Sequence, residues 1–86
     1  MKVSIYEVGP RDGLQALKRP VETATKKQLI ASLYDAGLRS IEEVSFAHPR
    51  LVPQMADAEK VFDRGSALVM NRRGYERAVA AGVQKF

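Results

Sequence analysis

An arginine and an aspartate stand side by side at positions 11 and 12, between Gly9 and Gly13, directly after the strand-like run VSIYEV. In a parallel α/β protein, side chains that follow a strand face the rim where such folds do their chemistry. A guanidinium keeps its charge at any working pH and can stabilise a developing oxyanion, whereas a carboxylate suits a hard divalent cation. Other polar groups converge on the same rim. Glu42 lies within the segment SIEEVS, Ser45, Phe46 and His48 close and follow it, and Asn71 follows SALVM. Residue types alone leave a plainer reading open. Arg11 and Asp12 could be an ion pair that braces a loop, and Glu42 an interior acid matched to a basic partner, because an unpaired buried carboxylate is costly.

The elements that must position these groups follow from the pattern of apolar residues. Residues 3–8 read as a strand ended by Gly9 and Pro10, with a loop to about residue 19. The run TATKKQLIASLYDAG reads as a helix with Thr23 as its N-cap, an apolar face of Leu29, Ile30, Leu33 and Tyr34, and Gly37 as its stop. The cycle repeats with a strand over 40–45, a loop over 46–52 and a helix over 53–65, then with a strand over 66–70 and a helix over 72–82. VQKF begins a fourth strand. Such alternation means parallel strands joined by helical crossovers, with Ile5, Val44 and Val69 facing inward. The short, mixed strands suit a barrel at least as well as a flat doubly wound sheet, although a closed (β/α)8 barrel needs about 250 residues. The expected fold is α/β, about three βα units plus the start of a fourth strand, and on the barrel reading residues 1–86 are the N-terminal part of one TIM-barrel domain.

Composition narrows the function classes. The 86 residues carry a net charge of +4, 45% hydrophobic residues and no cysteine. The basic residues are dispersed among acids without interleaved aromatics, which argues against a nucleic-acid track. No apolar run approaches the roughly 18 residues of a membrane span. Without a disulfide framework, a thiolate metal site or an evident leader, the chain is expected to be cytoplasmic and without membrane partners.

The string VGPRDGLQ (8–15) resembles the signature loop of the hydroxymethylglutaryl-CoA lyase family, within the metal-dependent TIM-barrel carbon–carbon lyases and synthases. SIEEVSFAHPRLVPQMADAEKVF is similar to the family's second strand and helix, and NRRGYERAVAAGV to its third-strand exit and third helix. The resemblance spans nearly the whole chain. It implies a parent enzyme that cleaves 3-hydroxy-3-methylglutaryl-CoA to acetyl-CoA and acetoacetate with Mg²⁺ or Mn²⁺, acts on an acyl-CoA and forms homo-oligomers. Under it, Arg11 faces the thioester carbonyl, Asp12 is a metal ligand, Glu42 orients the arginine and the metal site, and Gln15 and Ser45 lie near the substrate. Gly9 and Gly13 would let the backbone turn sharply beside the substrate.

The sequence departs from the family pattern at two loop positions. His48 stands where a small polar residue is frequent and is expected to be a solvated loop histidine rather than a ligand. Leu51 replaces a common aromatic, which bears on acyl specificity. The family's H-x-H pair, late asparagine ligand and cysteine-bearing loop are expected beyond residue 86. The alternatives are a related 3-hydroxyacyl-CoA lyase, a condensing synthase, or a non-catalytic binding or assembly module. Synthases related to isopropylmalate synthase usually carry T-L-R-D-G-x-Q, which VGPRDGLQ does not match.

Overall fold

The computed structural model describes residues 3–86. Its elements are β1 (Tyr6–Glu7), α1 (Thr23–Asp35), β2 (Ser40–Ser45), α2 (Ala58–Val61), β3 (Ser66–Leu68) and α3 (Arg72–Ala80). The strands form one parallel sheet in the order β1-β2-β3. Lys85 bridges Ser66 in the same sense, so a fourth strand begins where VQKF points to one. Gly37 and Gly82 take positive φ beyond α1 and α3, as helix stops require.

The strand read over 3–8 contracts to Tyr6–Glu7, paired with Ser40 and Ile41. Ile5, expected to face inward, is 67% exposed because β2 is the one strand that flanks β1 among the described residues. Central β2 is buried from Ile41 to Ser45. The core joins its Val44, and Phe46 just beyond it, to Ile30, Ala58, Val61, Ala67, Ala78 and Val83. Val44 and Val69 therefore pack with the helical layer, not on the inward face of the sheet. A bulge explains Val44: Glu42 pairs with Ser66 and Val44 with Ala67, so β2 holds one extra residue and two neighbours share one face. Glu43 meets Tyr34 of α1 and Val44 joins the core, while Glu42 is left to the opposite side. Val69 lies past the end of β3, where the pleat no longer fixes its direction.

The first helix also differs in detail from its pattern. Thr23 is its first residue rather than its cap, the cap position falling to Glu22. The Thr23 hydroxyl donates instead to Asp57 Oδ2 at 2.6 Å, and the buried Lys26 ammonium meets Asp57 Oδ1 at 2.6 Å. Beside this polar clasp, the helix face turned to the protein runs through buried Lys26 and Ile30 and half-buried Leu33 and Tyr34, and Leu29 lies outside it. Burial alone would raise the Asp57 carboxyl, but the hydrogen bonds from Lys26 and Thr23 and the Lys26 charge outweigh it and hold it below its ordinary value. The clasp therefore contributes fully above the ordinary carboxylate range and is lost as pH falls through that lowered value.

The helix read over 53–65 breaks into a 3-10 turn, Pro53–Met55, and the short α2. Buried Glu43 supplies the reason, since its carboxylate takes the backbone N–H of Asp63 at 2.7 Å, of Arg64 at 3.3 Å and of Gly65 at 2.6 Å, besides the Tyr34 hydroxyl. Amides committed to Glu43 cannot continue a helix. The same junction leaves no room at Gly65, where a Cβ would press on the Ile41 carbonyl and lie 2.6 Å from Glu43 Oε2 and 2.7 Å from the Tyr34 hydroxyl. Gly65→Ala is expected to destabilise the full-length protein by about 2 kcal/mol or more. Gly13→Ala, whose Cβ meets nothing within 4 Å, is its near-neutral control. Thermal midpoints that fall equally for both variants would contradict this account of the junction.

Candidate active site

The turn after β1 is wound as a wide helical turn over Gly9–Gly13 rather than an open loop, and Leu14 and Gln15 continue it. The amides of Arg11 and Asp12 both return to the Val8 carbonyl, at 3.1 and 2.7 Å. Neither Gly9 nor Gly13 has positive φ, so this winding bends the chain and the expected glycine conformation does not. Single π-type turns of this kind recur at functional sites.

Winding carries Arg11 back over β2. Its Nε–H donates to Glu42 Oε1, and its Nη1 lies 3.3 Å from Asp12 Oδ1. The side chains of Arg11 and Glu42 are mostly buried, at 19% and 12% exposure, whereas Asp12 is 68% exposed. The Arg11–Asp12 pair is therefore a long contact at the surface, worth little by itself. Glu42 is the arginine's main partner. The plain reading of Glu42 as an acid matched to a base and the family reading of it as an orienting residue describe the same contact. With Nε committed to Glu42 and Nη1 reaching Asp12 only at long range, the remaining outer N–H groups of the fork are left for another acceptor.

Tyr6, which the motif did not mark, holds the other end of Glu42. Its hydroxyl donates to Glu42 Oε2 at 3.1 Å and also meets the Ser66 hydroxyl. Burial and the nearby Glu42 carboxylate keep the phenol above its ordinary pKa, partly offset by Ser66. The available signal was pairing geometry, because a tyrosine beside the start of β2 can reach a carboxylate on it. Glu43 was also missed. Adjacent carboxylates in one strand face opposite ways, so the EE pair itself called for two separate sets of partners.

Among the described residues, two buried side-chain polar atoms have no hydrogen-bond partner, Gln15 Oε1 and Ser45 Oγ. Both belong to the residues that the motif puts near the substrate. His48 is exposed, and its Nδ1 accepts from the Arg50 amide at 3.1 Å, which fits a solvated loop histidine. Asn71 caps α3 through the Gly74 amide at 2.8 Å. No three His, Cys, Asp or Glu side chains gather as a metal cluster among the described residues. Asp12 offers an open carboxylate of the kind a hard cation prefers, but as a single donor it does not make a complete site.

The HMGL-like family model matches residues 2–85. The chain belongs to that family. It is 45% identical, over 98% of its length and 31% of the relative's, to the 3-hydroxy-3-isohexenylglutaryl-CoA/hydroxy-methylglutaryl-CoA lyase of Pseudomonas aeruginosa. It is 46% identical, over 98% of its length and 28% of the relative's, to the mitochondrial hydroxymethylglutaryl-CoA lyase of Macaca fascicularis. Its fold matches a solved HMG-CoA lyase of Acinetobacter baumannii in complex with coenzyme A and 3-methylmalate, with TM-score 0.87 and 36% identity over 93% of this chain and 29% of that one. The HMGL-like segment thus spans about 30% of its relatives' length, and its strand–helix order is that of the opening units of a TIM barrel.

Proposed function

We propose that the full-length protein carrying this segment is a carbon–carbon lyase that cleaves 3-hydroxy-3-methylglutaryl-CoA to acetyl-CoA and acetoacetate. One observation carries the reading. Arg11 is held through Nε by a buried carboxylate at a strand exit, with its outer N–H groups engaged by no more than a long contact from Nη1 to exposed Asp12, in a chain of this family.

Cleavage removes the proton of the tertiary hydroxyl, breaks the C2–C3 bond and moves its electron pair onto the thioester, whose enolate then takes a proton to become acetyl-CoA. Arg11 answers the charge that appears in that step, since a permanently protonated guanidinium stabilises an enolate oxygen without surrendering its own proton. Glu42 fixes the plane of the fork through Nε, and Tyr6 fixes Glu42. Gln15 Oε1 and Ser45 Oγ supply polar contacts that the protein does not itself satisfy. Asp12 would be one oxygen ligand of Mg²⁺ or Mn²⁺. When bound, that cation would lower the pKa of the substrate hydroxyl.

A related 3-hydroxyacyl-CoA is a second reading, supported by Leu51, which is 80% exposed on the loop after β2 and so leaves that rim open to a longer acyl chain. We place the parent in the cytoplasm and as a homo-oligomer under the same reading. No helix among the described residues is long and apolar enough to cross a membrane, and the Macaca fascicularis relative is mitochondrial. Mg²⁺-dependent release of acetoacetate by the full-length protein is the expected assay result. Activity confined to longer acyl chains would select the second reading, and condensation without cleavage would overturn both.

A further inference from the structure

The strands are parallel, so the chain enters β2, β3 and the fourth strand at one end of the sheet, while the turn that carries Arg11 follows β1 at the other. The six residues of β2 span roughly 16 Å between the two ends. At the entry end the junctions enclose a cleft of about 540 Å³. That volume falls within the range of small-molecule sites. Arg39 lines it from the junction before β2, Arg64 from the junction before β3 and Lys85 from the start of the fourth strand, and no acidic residue lines it.

The walls of this cleft are held in place. β2 lies between β1 and β3, and β3 between β2 and the Ser66–Lys85 bridge, so the two strands whose entries shape the cleft are flanked on both sides. The buried Glu43 carboxylate takes the amides of Asp63, Arg64 and Gly65 and so fixes the junction from which Arg64 projects. The Arg64 guanidinium stacks over the Tyr34 ring at 3.8 Å, a cation–π contact that occupies its face and leaves the N–H groups in its plane. One of these reaches Asp63 at 3.4 Å, a long contact between exposed groups. Arg39 and Lys85 are exposed and make no ion pair among the described residues.

Three cations on one concave surface repel one another, and a multiply charged anion between them relieves that repulsion. Guanidinium forks match phosphate oxygens in pairs, and a lysine adds a compact point charge. A phosphate group fills only part of the volume, and Leu38 and the Tyr6 ring offer apolar wall to an organic remainder. We propose that this cleft binds the phosphate group of a small phosphorylated molecule, with Arg39, Arg64 and Lys85 as its charged contacts. It is a separate site from the rim that carries Arg11 and stands whatever reaction that rim performs.

Calorimetric titration of the full-length protein with inorganic phosphate and with glycerol 3-phosphate, at constant ionic strength, tests this. The Arg39→Gln/Lys85→Gln double variant is expected to bind both roughly 10- to 100-fold more weakly, from the loss of charge-assisted hydrogen bonds. The Arg39→Lys/Lys85→Arg variant keeps both charges, and retained binding in it excludes misfolding as the cause. Tighter binding of the ester assigns the cleft to a phosphorylated metabolite and equal binding assigns it to free phosphate, the phosphate chemistry holding in both. Absence of binding to the unsubstituted protein, or affinity that survives in the double glutamine variant, would overturn the proposal. So would binding that is lost instead in Arg50→Gln/Arg73→Gln, whose arginines line the strand exits at the other end.

Discussion

Replacing Arg11 with glutamine in the full-length protein is expected to lower kcat by about 10³-fold or more while leaving Mg²⁺ affinity nearly unchanged. On the proposed reading the arginine and its neighbour have different tasks. Arg11 is mostly buried and held by Glu42, so its free donors face a fixed place, whereas Asp12 is largely exposed and only loosely joined to it at 3.3 Å. Asp12→Ala should therefore weaken metal binding, and Arg11→Gln should not. A structural cost must be separated from the chemical one, because removing Arg11 leaves Glu42, at 12% exposure, with the Tyr6 hydroxyl as its remaining side-chain partner. Arg11→Lys addresses this. It restores a charge without the planar fork, so catalysis should remain poor while the thermal midpoint recovers. Equal loss of Mg²⁺ affinity in Arg11→Gln and Asp12→Ala would show that the two residues do not divide the work in this way.

The parts of this site that were legible in the sequence are those set by local signals. The order of strands and helices follows from apolar spacing and from glycines such as Gly37 and Gly82, whose positive φ is a local necessity. Arg11, Asp12 and Glu42 were marked by a motif, and the structure joins the first to the third. What was not legible depends on partners far apart in the chain. Glu43 breaks the helix over 53–65 by taking amides some twenty residues away, and Asp57 recruits Thr23 and Lys26 from α1, which costs Thr23 its capping role. The bulge in β2 is of the same kind. Strict alternation would set Glu42 and Val44 on one face, and the extra residue sends Val44 to the helices instead. Tyr6 escaped notice because its role exists only once β1 lies beside β2 and β3 supplies Ser66.

The isolated segment, residues 1–86, is expected to release no acetoacetate at all and to self-associate. Chemistry and folding point the same way. Mg²⁺ holds its waters tightly and needs several oxygen ligands in near-octahedral order, yet among the described residues Asp12 is the one open carboxylate at the site and no group of three potential ligands forms. The metal would not be held where it could act on a substrate hydroxyl. The sheet is incomplete as well, for among the described residues β1 has β2 as its sole neighbour and the start of the fourth strand rests on the single Ser66–Lys85 bridge. Unpaired strand edges of this kind are templates for pairing with other copies. Apolar side chains lie open near them, with Val3 at 81%, Ile5 at 67% and Met70 at 70% exposure, and a closed barrel would cover such residues. Local structure should survive, because the turn over Gly9–Gly13 and the clasp of Lys26 and Thr23 on Asp57 need no further strands. Light scattering should thus report a mass well above the 9.5 kDa of the monomer, with helical content retained by circular dichroism. A monodisperse monomer that cleaved the CoA ester would overturn both halves of this expectation, and a monodisperse but inactive one would confine the error to the sheet edges.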